Sequence, residues 1–217
     1  GGESRVTPFP LILSAPSGAG KTTIARRVLE LREDVGLSVS ATTRARRPHE
    51  VDGRDSFFLS EDELASQRGA GEFAECAEVH GRWYGTLRSE MDKMLASGKH
   101  VIMAIDVQGA RACQRVFPNS VRVFVLPPSV EVMVARLRAR NTESEGSIER
   151  RLHTALTEVG AVSEYDYVVI NDQLDVAAAQ VSAIIDAELA RYTRAHGVDE
   201  RVAAFITELR RGMSAHV

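Results

Sequence analysis

Short runs of apolar residues alternate along the chain with longer amphipathic segments. Residues 9–13 form the first apolar run, and the glycine-rich segment after it predicts a buried strand that enters a tight turn. In residues 21–31, Ile24, Val28 and Leu31 recur at spacings of four and three, so they share one face of a helix. The order of strand, glycine turn and helix predicts the opening of a βαβ unit.

Three later apolar runs predict more strands of the same sheet, at residues 101–105, 121–126 and 167–170. Runs without polar alternation are typical of parallel strands that are covered on both faces. Helical periodicity occupies other segments, at residues 89–97, 130–160 and 176–194. Strands that alternate with helices predict an α/β fold with a doubly wound parallel core.

Two segments depart from this alternation. In residues 38–88, short alternating stretches are broken by Pro48 and by several glycines, which predicts a small, mostly β insert. The tail at residues 199–213 carries a helical stripe of apolar residues, to which the sequence assigns no role. The stripe consists of Val202, Phe205, Ile206 and Leu209.

Composition and charge narrow the classes of function. The 217 residues are 44% apolar and 26% charged, which suits one globular domain with small inserted lobes. The net charge of −3 gives no electrostatic reason to expect a nucleic acid partner, so phosphate recognition must come from local arginine clusters. No apolar run reaches the roughly 18 residues of a membrane helix. Cys76 and Cys113 lack a CxxC partner, which indicates two reduced thiols in a cytoplasmic protein.

The glycine-rich turn carries the strongest chemical signal. Residues 15–23 read Ala-Pro-Ser-Gly-Ala-Gly-Lys-Thr-Thr, which matches the GxxxxGK[ST] phosphate-loop pattern except for alanine in place of the first glycine. Gly18 and Gly20 allow backbone N–H groups to turn towards an anion at a helix N-terminus. Lys21 adds positive charge for the β- and γ-phosphates, and Thr22 a hydroxyl for Mg²⁺. The alternative interpretation is a tight strand–helix turn with a surface lysine.

Asp106 follows the apolar run at residues 101–105. A carboxylate at the end of such a strand matches the group that orients Mg²⁺ in phosphate-loop enzymes. From the residues alone, a strand-end turn residue is an equally open interpretation.

Further motifs stand in a fixed order along the chain. They are Ser-Val-Ser-Ala-Thr-Thr-Arg at residues 38–44, Glu-Phe-Ala-Glu at 72–75, Tyr-Gly-Thr at 84–86, Ile-Asp-Val-Gln-Gly at 105–109, Pro-Pro-Ser at 127–129, Arg-Leu at 151–152 and Asp-Tyr-Val-Val-Ile-Asn-Asp at 166–172. In composition and order they resemble the guanylate kinase family of phosphate-loop nucleoside monophosphate kinases, over about residues 11–190.

The resemblance implies a function and an organisation. The function is ATP-dependent phosphorylation of GMP, and of dGMP, with Mg²⁺ as cofactor, no nucleic acid or membrane partner, and a monomer or homodimer as the assembly. Residues 1–37, 89–129 and 161–217 would form a phosphate-loop core with a parallel sheet flanked by helices. Residues 38–88 would form a mostly β GMP-binding lobe, and residues 130–160 a helical lid.

On the acceptor side, the resemblance implies a GMP site made of Ser40, Arg44, Arg47, Ser56, Glu75, Tyr84 and Thr86. Guanine has N1–H and N2–H₂ donors on one edge, and the Glu75 carboxylate can accept from both, while Ser40 donates to the guanine carbonyl. Adenine presents the reverse pattern, so AMP would leave Glu75 unpaired at a cost of about 1–3 kcal/mol or more. Arginine forks suit the GMP phosphate. Without the resemblance, Arg44 and Arg47 would belong to a basic surface loop.

On the donor side, the resemblance implies that ATP contacts Ala15, Pro16, Ser17, Gly18, Ala19, Gly20, Lys21, Thr22, Thr23 and Asn171. Thr22 and Asp106 would hold Mg²⁺. The implied catalytic residues are Lys21, Arg47, Arg136, Arg140 and Arg151, of which the last three would close over the triphosphate from the lid. The alternative for Arg136 and Arg140, which stand four residues apart, is a helix face with salt bridges.

Two positions depart from the family pattern, both on the acceptor side. Ser56 stands where relatives have a tyrosine whose hydroxyl reaches the GMP phosphate, and Ala104 where relatives usually have an acidic residue. A lost hydrogen bond to a charged group costs about 1.5–3 kcal/mol, so GMP binding is expected to be weaker by about tenfold or more unless water or Arg54 makes this contact instead.

Three competing functions stay open at this point. The first is a kinase of the same fold with another phosphorylated acceptor, such as a sugar phosphate; Ser40 and Glu75 argue for guanine instead. The second is a non-catalytic guanylate-kinase-like binding module, against which the intact phosphate loop argues. The third is a phosphate-loop switch or motor, which would lack the acceptor residues.

Overall fold

A computed structural model describes residues 7–79, 81–139, 145–195 and 197–214 of the chain. They fall into two units: one is Pro8–Ser182, and the other consists of Thr7 and the described residues from Ala183 onward. In chain order the elements are β1 (Pro10–Ser14), α1 (Lys21–Leu31), β2 (Val35–Leu37), β3 (Ser40–Thr42), β4 (Phe57–Phe58), α2 (Glu61–Gly69), β5 (Phe73–Val79), β6 (Arg82–Leu87), α3 (Arg88–Ala96), β7 (His100–Ala104), α4 (Val107–Val116), β8 (Val121–Leu126), α5 (Val130–Ala139), α6 (Glu145–Gly160), β9 (Tyr167–Ile170), α7 (Leu174–Leu189) and α8 (Val198–Ser214). Within the described ranges, no helix has the length and apolarity needed to cross a bilayer.

Five parallel strands form the central sheet, in the order β2–β7–β1–β8–β9. Every residue of β1 is buried, and β7 and β8 are buried along most of their length. Apolar side chains on successive positions are therefore covered on both faces of the sheet. This arrangement confirms the predicted α/β fold with a parallel core. Because all five strands run in one direction, the loops that follow β1 and β7 emerge at the same edge.

A second sheet, in the order β4–β3–β6–β5, lies within the predicted insert. One of its faces packs apolar side chains against Leu64 of α2, with Ala41 and Phe73 at the centre of the cluster. The helix α2 begins at a capping box, in which Ser60 and Glu63 satisfy each other's backbone N–H groups. The predicted β character of the insert is confirmed, and α2 is an addition to it.

The sequence analysis missed two elements of the core. Strand β2 has three residues with Gly36 at its centre, too few for a periodic signal. Helix α4 buries Val107, Gly109, Ala110 and Cys113, mostly small residues, and the sequence analysis assigned no helix to this segment. The single helical range predicted at residues 130–160 is present as α5 and α6.

The described residues from Ala183 onward include the end of α7 and all of α8. Glu188 is only 2% exposed and accepts hydrogen bonds from Arg191 at 2.7 Å and Arg194 at 2.9 Å. The Tyr192 hydroxyl donates to Asp199 in the first turn of α8. These bonds hold the turn that connects α7 to α8.

Candidate functional site

Two glycines set the shape of the loop between β1 and α1. Gly18 and Gly20 have φ angles of 86° and 89°, a left-handed conformation that residues with a Cβ rarely adopt. A Cβ at Gly20 would lie 2.6 Å from Asn171 Nδ2, and one at Gly18 would lie 3.1 Å from the Met133 carbonyl oxygen. The loop therefore requires glycine at both positions, as the sequence predicted.

The N-terminus of α1 is arranged to receive an anion. Gly20 is the N-cap residue and provides no side chain to satisfy the first backbone N–H groups of the helix. The turn before it is closed by a hydrogen bond from the Ala19 N–H to the Pro16 carbonyl, at 3.1 Å. Lys21 and Thr22 follow in the first helical turn. Uncapped amides, a helix dipole and a lysine together form a phosphate cradle.

Asn171 braces the phosphate loop from the end of β9. Its Nδ2 donates to the Ala19 carbonyl at 2.7 Å, and the side chain is buried. The backbone carbonyl of Asn171 accepts a hydrogen bond from Arg136 Nη2 at 3.0 Å. The structure thus gives Asn171 a positioning role that the sequence did not reveal, and its contact with adenine stays a prediction.

The predicted lid arginines lie close to the phosphate loop where they are described. Arg151 Nη1 donates to Ser17 Oγ at 3.1 Å. Arg136 lies on α5 beside Asn171, and its Nη1 is buried with no hydrogen-bond partner among the described residues. Arg140 lies outside the described residues. Arg151 on α6 therefore contacts the phosphate loop itself, and Arg136 on α5 contacts Asn171, the residue that braces the loop.

Three carboxylates act on Lys21. Burial lowers the pKa of the Lys21 ammonium group, and the negative charges of Asp106, Glu158 and Glu75 oppose that effect. These carboxylates come from the turn after β7, from α6 and from β5. Lys21 therefore lies where three segments that are distant in sequence converge, and where the predicted donor and acceptor residues meet.

Asp106 is the N-cap residue of α4. Its Oδ1 accepts the Gly109 N–H at 2.8 Å. The cap orients the carboxylate at the sheet edge that also carries the phosphate loop. Within the described ranges, no group of three or more His, Cys, Asp or Glu residues could hold a metal ion. Thr22 and Asp106 would therefore supply only part of a magnesium shell, which fits an ion whose other ligands are phosphates and water.

A β-bulge aims Glu75 at the site. Phe73 pairs with Leu87, whereas Glu75 pairs with Thr86, so the register shifts between Phe73 and Glu75. Without the extra residue, alternation would put both side chains on the same face of the sheet. The bulge lets Phe73 join the apolar cluster while Glu75 turns to the opposite, polar face. Simple alternation in the sequence could not predict this.

Glu75 lies on the polar face as a buried acid, only 6% exposed. Burial raises its pKa to about 7, and the charge of Asp106 contributes in the same direction. Thr86 Oγ1 donates to Glu75 Oε1 at 2.7 Å, which opposes the rise. A Cβ at Gly109 would lie 2.9 Å from Glu75 Oε2, so glycine in the first turn of α4 leaves room for the carboxylate.

The strand register brings other predicted acceptor residues beside Glu75. Ser40 on β3 pairs with Thr86 on β6, and Thr86 pairs with Glu75 on β5. Tyr84 is two residues before Thr86 and therefore points to the same face. Four residues that the sequence singled out thus line one face of the second sheet.

Glu50 organises the arginine loop, and the sequence analysis did not identify it. Its carboxylate accepts hydrogen bonds from Arg44 at 2.7 and 3.0 Å and from the Arg47 backbone N–H at 2.8 Å. The Arg44 guanidinium beside it lowers the pKa of Glu50. Arg44 also stacks 5.5 Å from the centre of the Phe58 ring, while the Arg47 side chain is exposed. Arg44 is therefore held in place and Arg47 extends into solvent.

Ser56 does not reach beyond its own loop. Its hydroxyl donates to the Asp55 carbonyl at 2.8 Å. Arg54, which could have substituted for a tyrosine hydroxyl, pairs instead with Asp55 at 2.8 Å and is 67% exposed. Ala104 is the last residue of β7 and is half-buried. The two departures from the family pattern thus leave short side chains at both positions.

Glu158 is a further charged residue of the site that the sequence analysis missed. Burial raises its pKa to about 7, and its Oε2 is buried with no hydrogen-bond partner among the described residues. It follows Arg151 by seven residues, so both lie on one face of α6. The seven-residue spacing from Arg151 is the feature of the sequence that could have identified Glu158 as a site residue.

A cavity of about 620 Å³ lies between α5 and α6. Its lining is almost wholly apolar and includes Pro16, Leu126, Met133, Leu152 and Ala155. Because phosphates need polar partners, this cavity does not suit a phosphate group, although Pro16 of the phosphate loop forms part of its lining.

Comparisons with known proteins agree with this geometry. The family model described as guanylate kinase matches residues 7–188. A guanylate kinase of Chelativorans sp. is 44% identical over 91% of each chain, and one of Thermotoga maritima is 43% identical over 88% of this chain and 92% of its own. The crystal structure of guanylate kinase from Anaplasma phagocytophilum superposes with a TM-score of 0.77, at 32% identity over 91% of this chain and 95% of the other.

Proposed function

The chain belongs to the guanylate kinase family, and on that premise we propose that its site transfers the γ-phosphoryl group of ATP to GMP, and also to dGMP. One observation carries the proposal. Glu75 is buried beside Thr86 and lies close enough to act on Lys21 of the phosphate loop. A base-reading carboxylate and a triphosphate-binding lysine therefore share one cleft.

Glu75 reads guanine in this proposal. The N1–H and N2–H₂ groups of guanine donate to its carboxylate, while Ser40 reaches the guanine carbonyl oxygen. AMP presents no such pair of donors and would bury the carboxylate unpaired. Sites that depend on buried hydrogen bonds can reject analogues that lack them by up to about 10⁴–10⁵-fold.

The acceptor phosphate binds at the arginine loop. The Arg44 fork is already oriented by Glu50 and Phe58, so little side-chain entropy is lost when it binds phosphate. Arg47 is exposed and can swing onto the same phosphate. Tyr84 completes the set from β6.

The donor triphosphate binds in the phosphate cradle. Uncapped N–H groups at the start of α1 and the Lys21 ammonium group bind the β- and γ-phosphates. Thr22 and Asp106 would hold Mg²⁺, which neutralises phosphate charge when bound. Arg136 and Arg151 lie at the loop, where they can balance charge that develops in the transition state.

No general base is needed for this transfer. The second pKa of a monophosphate is about 6, so GMP is largely a dianion at neutral pH and its oxygen attacks directly. Catalysis then depends on holding two anions in line and neutralising their charge. The lobe and the lid would close around both nucleotides and exclude water.

The direct test is a side-by-side assay of GMP, dGMP, AMP, UMP, CMP and a sugar phosphate with MgATP. We expect GMP to have the highest kcat/KM, followed by dGMP, with AMP lower by at least about 10³-fold because Glu75 stays unpaired. Preference for another nucleotide or for the sugar phosphate would overturn the acceptor assignment. Absence of turnover with tight GMP binding would indicate a binding module.

Ser56→Tyr is expected to lower the KM for GMP about tenfold, because a phenol hydroxyl at this position restores a hydrogen bond to a charged phosphate. The kcat and the KM for ATP should stay close to the parent values. Ser56→Phe is the matched control, since it adds the ring without the hydroxyl. An unchanged KM in the tyrosine variant, or an equal decrease in the phenylalanine variant, contradicts the role of the hydroxyl.

A further inference from the structure

An ion pair connects helix α1 with the mostly β insert. Arg26 lies four residues after Thr22 on α1, so the two side chains share one face of the helix. Arg26 Nη2 donates a hydrogen bond to Asp55 Oδ1 at 3.0 Å. Asp55 belongs to the connection between β3 and β4 of the second sheet, next to Ser56. The helix that begins at the phosphate cradle is therefore bonded to the lobe that carries the proposed acceptor site.

Asp55 uses its two carboxylate oxygens for different partners. Oδ1 accepts from Arg26, whereas Oδ2 accepts the Val51 N–H at 2.8 Å and two N–H groups of Arg54 at 2.8 and 3.0 Å. The Val51 N–H and then the Arg54 guanidinium lower the pKa of Asp55 to about 2, so its carboxylate is charged at neutral pH. One oxygen thus holds together the turn at residues 51–56, and the other bonds that turn to α1.

This turn follows directly after the residues that orient the arginines. Glu50 precedes Val51, and its carboxylate accepts hydrogen bonds from the Arg47 N–H at 2.8 Å and from the Arg44 guanidinium at 2.7 Å. The Glu50 N–H donates to the Arg47 carbonyl at 3.1 Å. A chain of hydrogen bonds, joined by the peptide link between Glu50 and Val51, therefore runs from α1 to both arginines of the proposed GMP phosphate site.

We infer that Arg26 is a positioning residue for the acceptor: through Asp55 it holds the arginine loop, residues 44–50, where that loop receives the GMP phosphate. The inference rests on the proposed function, since it takes Arg44 and Arg47 as the groups that bind this phosphate. Because α1 begins at the phosphate cradle, the same bond fixes the arginine loop relative to the donor site. A loop that is held in its binding position loses less entropy on binding, so the benefit appears in the affinity for GMP.

Surface exposure limits the size of this effect. The Arg26 side chain is 61% exposed and that of Asp55 is 13% exposed, so solvent screens one of the two partners well. Ion pairs of this kind change an equilibrium constant by about two- to fivefold when they are removed. We therefore expect Arg26→Met to raise the KM for GMP by this factor, with kcat and the KM for ATP close to the parent values. Arg26→Lys keeps a cation on this face of α1 and should recover most of the loss.

Arg27→Met is the matched control for these kinetics. Arg27 is the next residue on α1 and also forms ion pairs, but its partners Glu30 and Asp175 lie outside the insert. We expect the KM of this variant for GMP to equal that of the parent. An equal rise in both variants, or no rise in Arg26→Met, would contradict the inference. A purely structural role for Arg26 would lower the free energy of unfolding and leave the KM for GMP unchanged, which also contradicts it.

A double-mutant cycle tests whether Arg26 acts through Asp55. Asp55→Asn keeps a carbonyl oxygen for the Val51 N–H but removes the negative charge of the ion pair. In that background, Arg26→Met should change the KM for GMP less than it does in the parent, because its partner is already lost. Equal effects of Arg26→Met in the two backgrounds would show that Arg26 acts independently of Asp55, against the inference.

Hydrogen–deuterium exchange of the protein without nucleotides measures the ion pair independently of catalysis. Amides of the turn at residues 51–56 are hydrogen-bonded within it, so their exchange reports when the turn loosens. This segment should exchange about two- to fivefold faster in Arg26→Met than in the parent or in Arg27→Met. Identical exchange in Arg26→Met and the parent overturns the inference, whether or not the enzyme phosphorylates GMP. Faster exchange in a chain that does not act on GMP overturns the proposed function instead, while the bond between α1 and the insert stands.

Discussion

Lys21→Met should lower kcat by about 10²–10³-fold or more, the range measured when one preorganised charge-stabilising group is removed from a site. Lys21 is the cation of the phosphate loop, and in the proposed mechanism its ammonium group neutralises charge as the phosphoryl group moves. Methionine keeps most of the volume of the side chain, so the loop should keep its shape. We expect the KM for GMP to change much less than kcat.

Steady-state kinetics with a coupled ADP assay measure this effect. Lys93→Met on α3 is the matched control, since Lys93 is exposed and lies outside the proposed site. Turnover within tenfold of the parent in Lys21→Met would refute the proposed donor chemistry. A large loss in Lys93→Met would show that the assay reports stability instead of catalysis.

Glu75→Gln should lower kcat/KM for GMP by about 10–100-fold, because an amide accepts one guanine hydrogen bond and offers a donor where a second acceptor is needed. The KM for ATP should stay close to the parent value. Glu78→Gln is the matched control, being on the same strand β5 but exposed. Parent-like GMP kinetics in Glu75→Gln would remove the assigned basis of guanine recognition.

The same substitution should stabilise the free protein at high pH. Burial raises the pKa of Glu75 from its ordinary value of 4.5 to about 7, so the folded protein binds this proton more tightly than the unfolded chain does. The free energy of unfolding should therefore fall as the pH rises from about 4.5 through 7, by about 3 kcal/mol for a rise of this size. Glutamine has no proton to lose and lacks this decrease.

Urea unfolding of the ligand-free protein at pH 5 and pH 8 measures the difference. The parent and Glu75→Gln should be similarly stable at pH 5, and the variant more stable at pH 8. For GMP binding the sign is opposite, because only the charged carboxylate accepts both guanine donors, so the KM for GMP should rise as the pH falls below about 7. A variant that is less stable than the parent at pH 8 would contradict the conclusion that burial of the charged Glu75 carboxylate destabilises the folded protein.

The acceptor side carries the features that depart from the family pattern. Ser56 is bonded to its own loop, and Arg54, the candidate substitute, is paired with Asp55. The donor side has no comparable change, since the phosphate loop keeps its two left-handed glycines. We therefore expect ordinary ATP affinity and weakened GMP affinity in the parent protein.

The phosphate loop was predictable because its determinants are local. Gly18, Gly20 and Lys21 stand within four residues between a strand and a helix, and only glycine adopts the backbone angles that the turn needs. The parallel strands were equally accessible, because continuous apolar runs such as β1 reflect burial on both faces. The roles proposed for Ser40, Arg44 and Glu75 required the resemblance, since each residue taken alone is typical of an ordinary polar surface position.

The sequence by itself determined the phosphate loop, the α/β order and the presence of a β insert, because these follow from backbone constraints and periodicity over short stretches. Only the tertiary structure decided that Glu75 faces the polar side of its sheet, that Asn171 braces the loop and that Glu158 acts on Lys21. A bulge reverses the direction of a side chain with no change in composition. Contacts between residues more than 100 positions apart depend on packing of the whole chain.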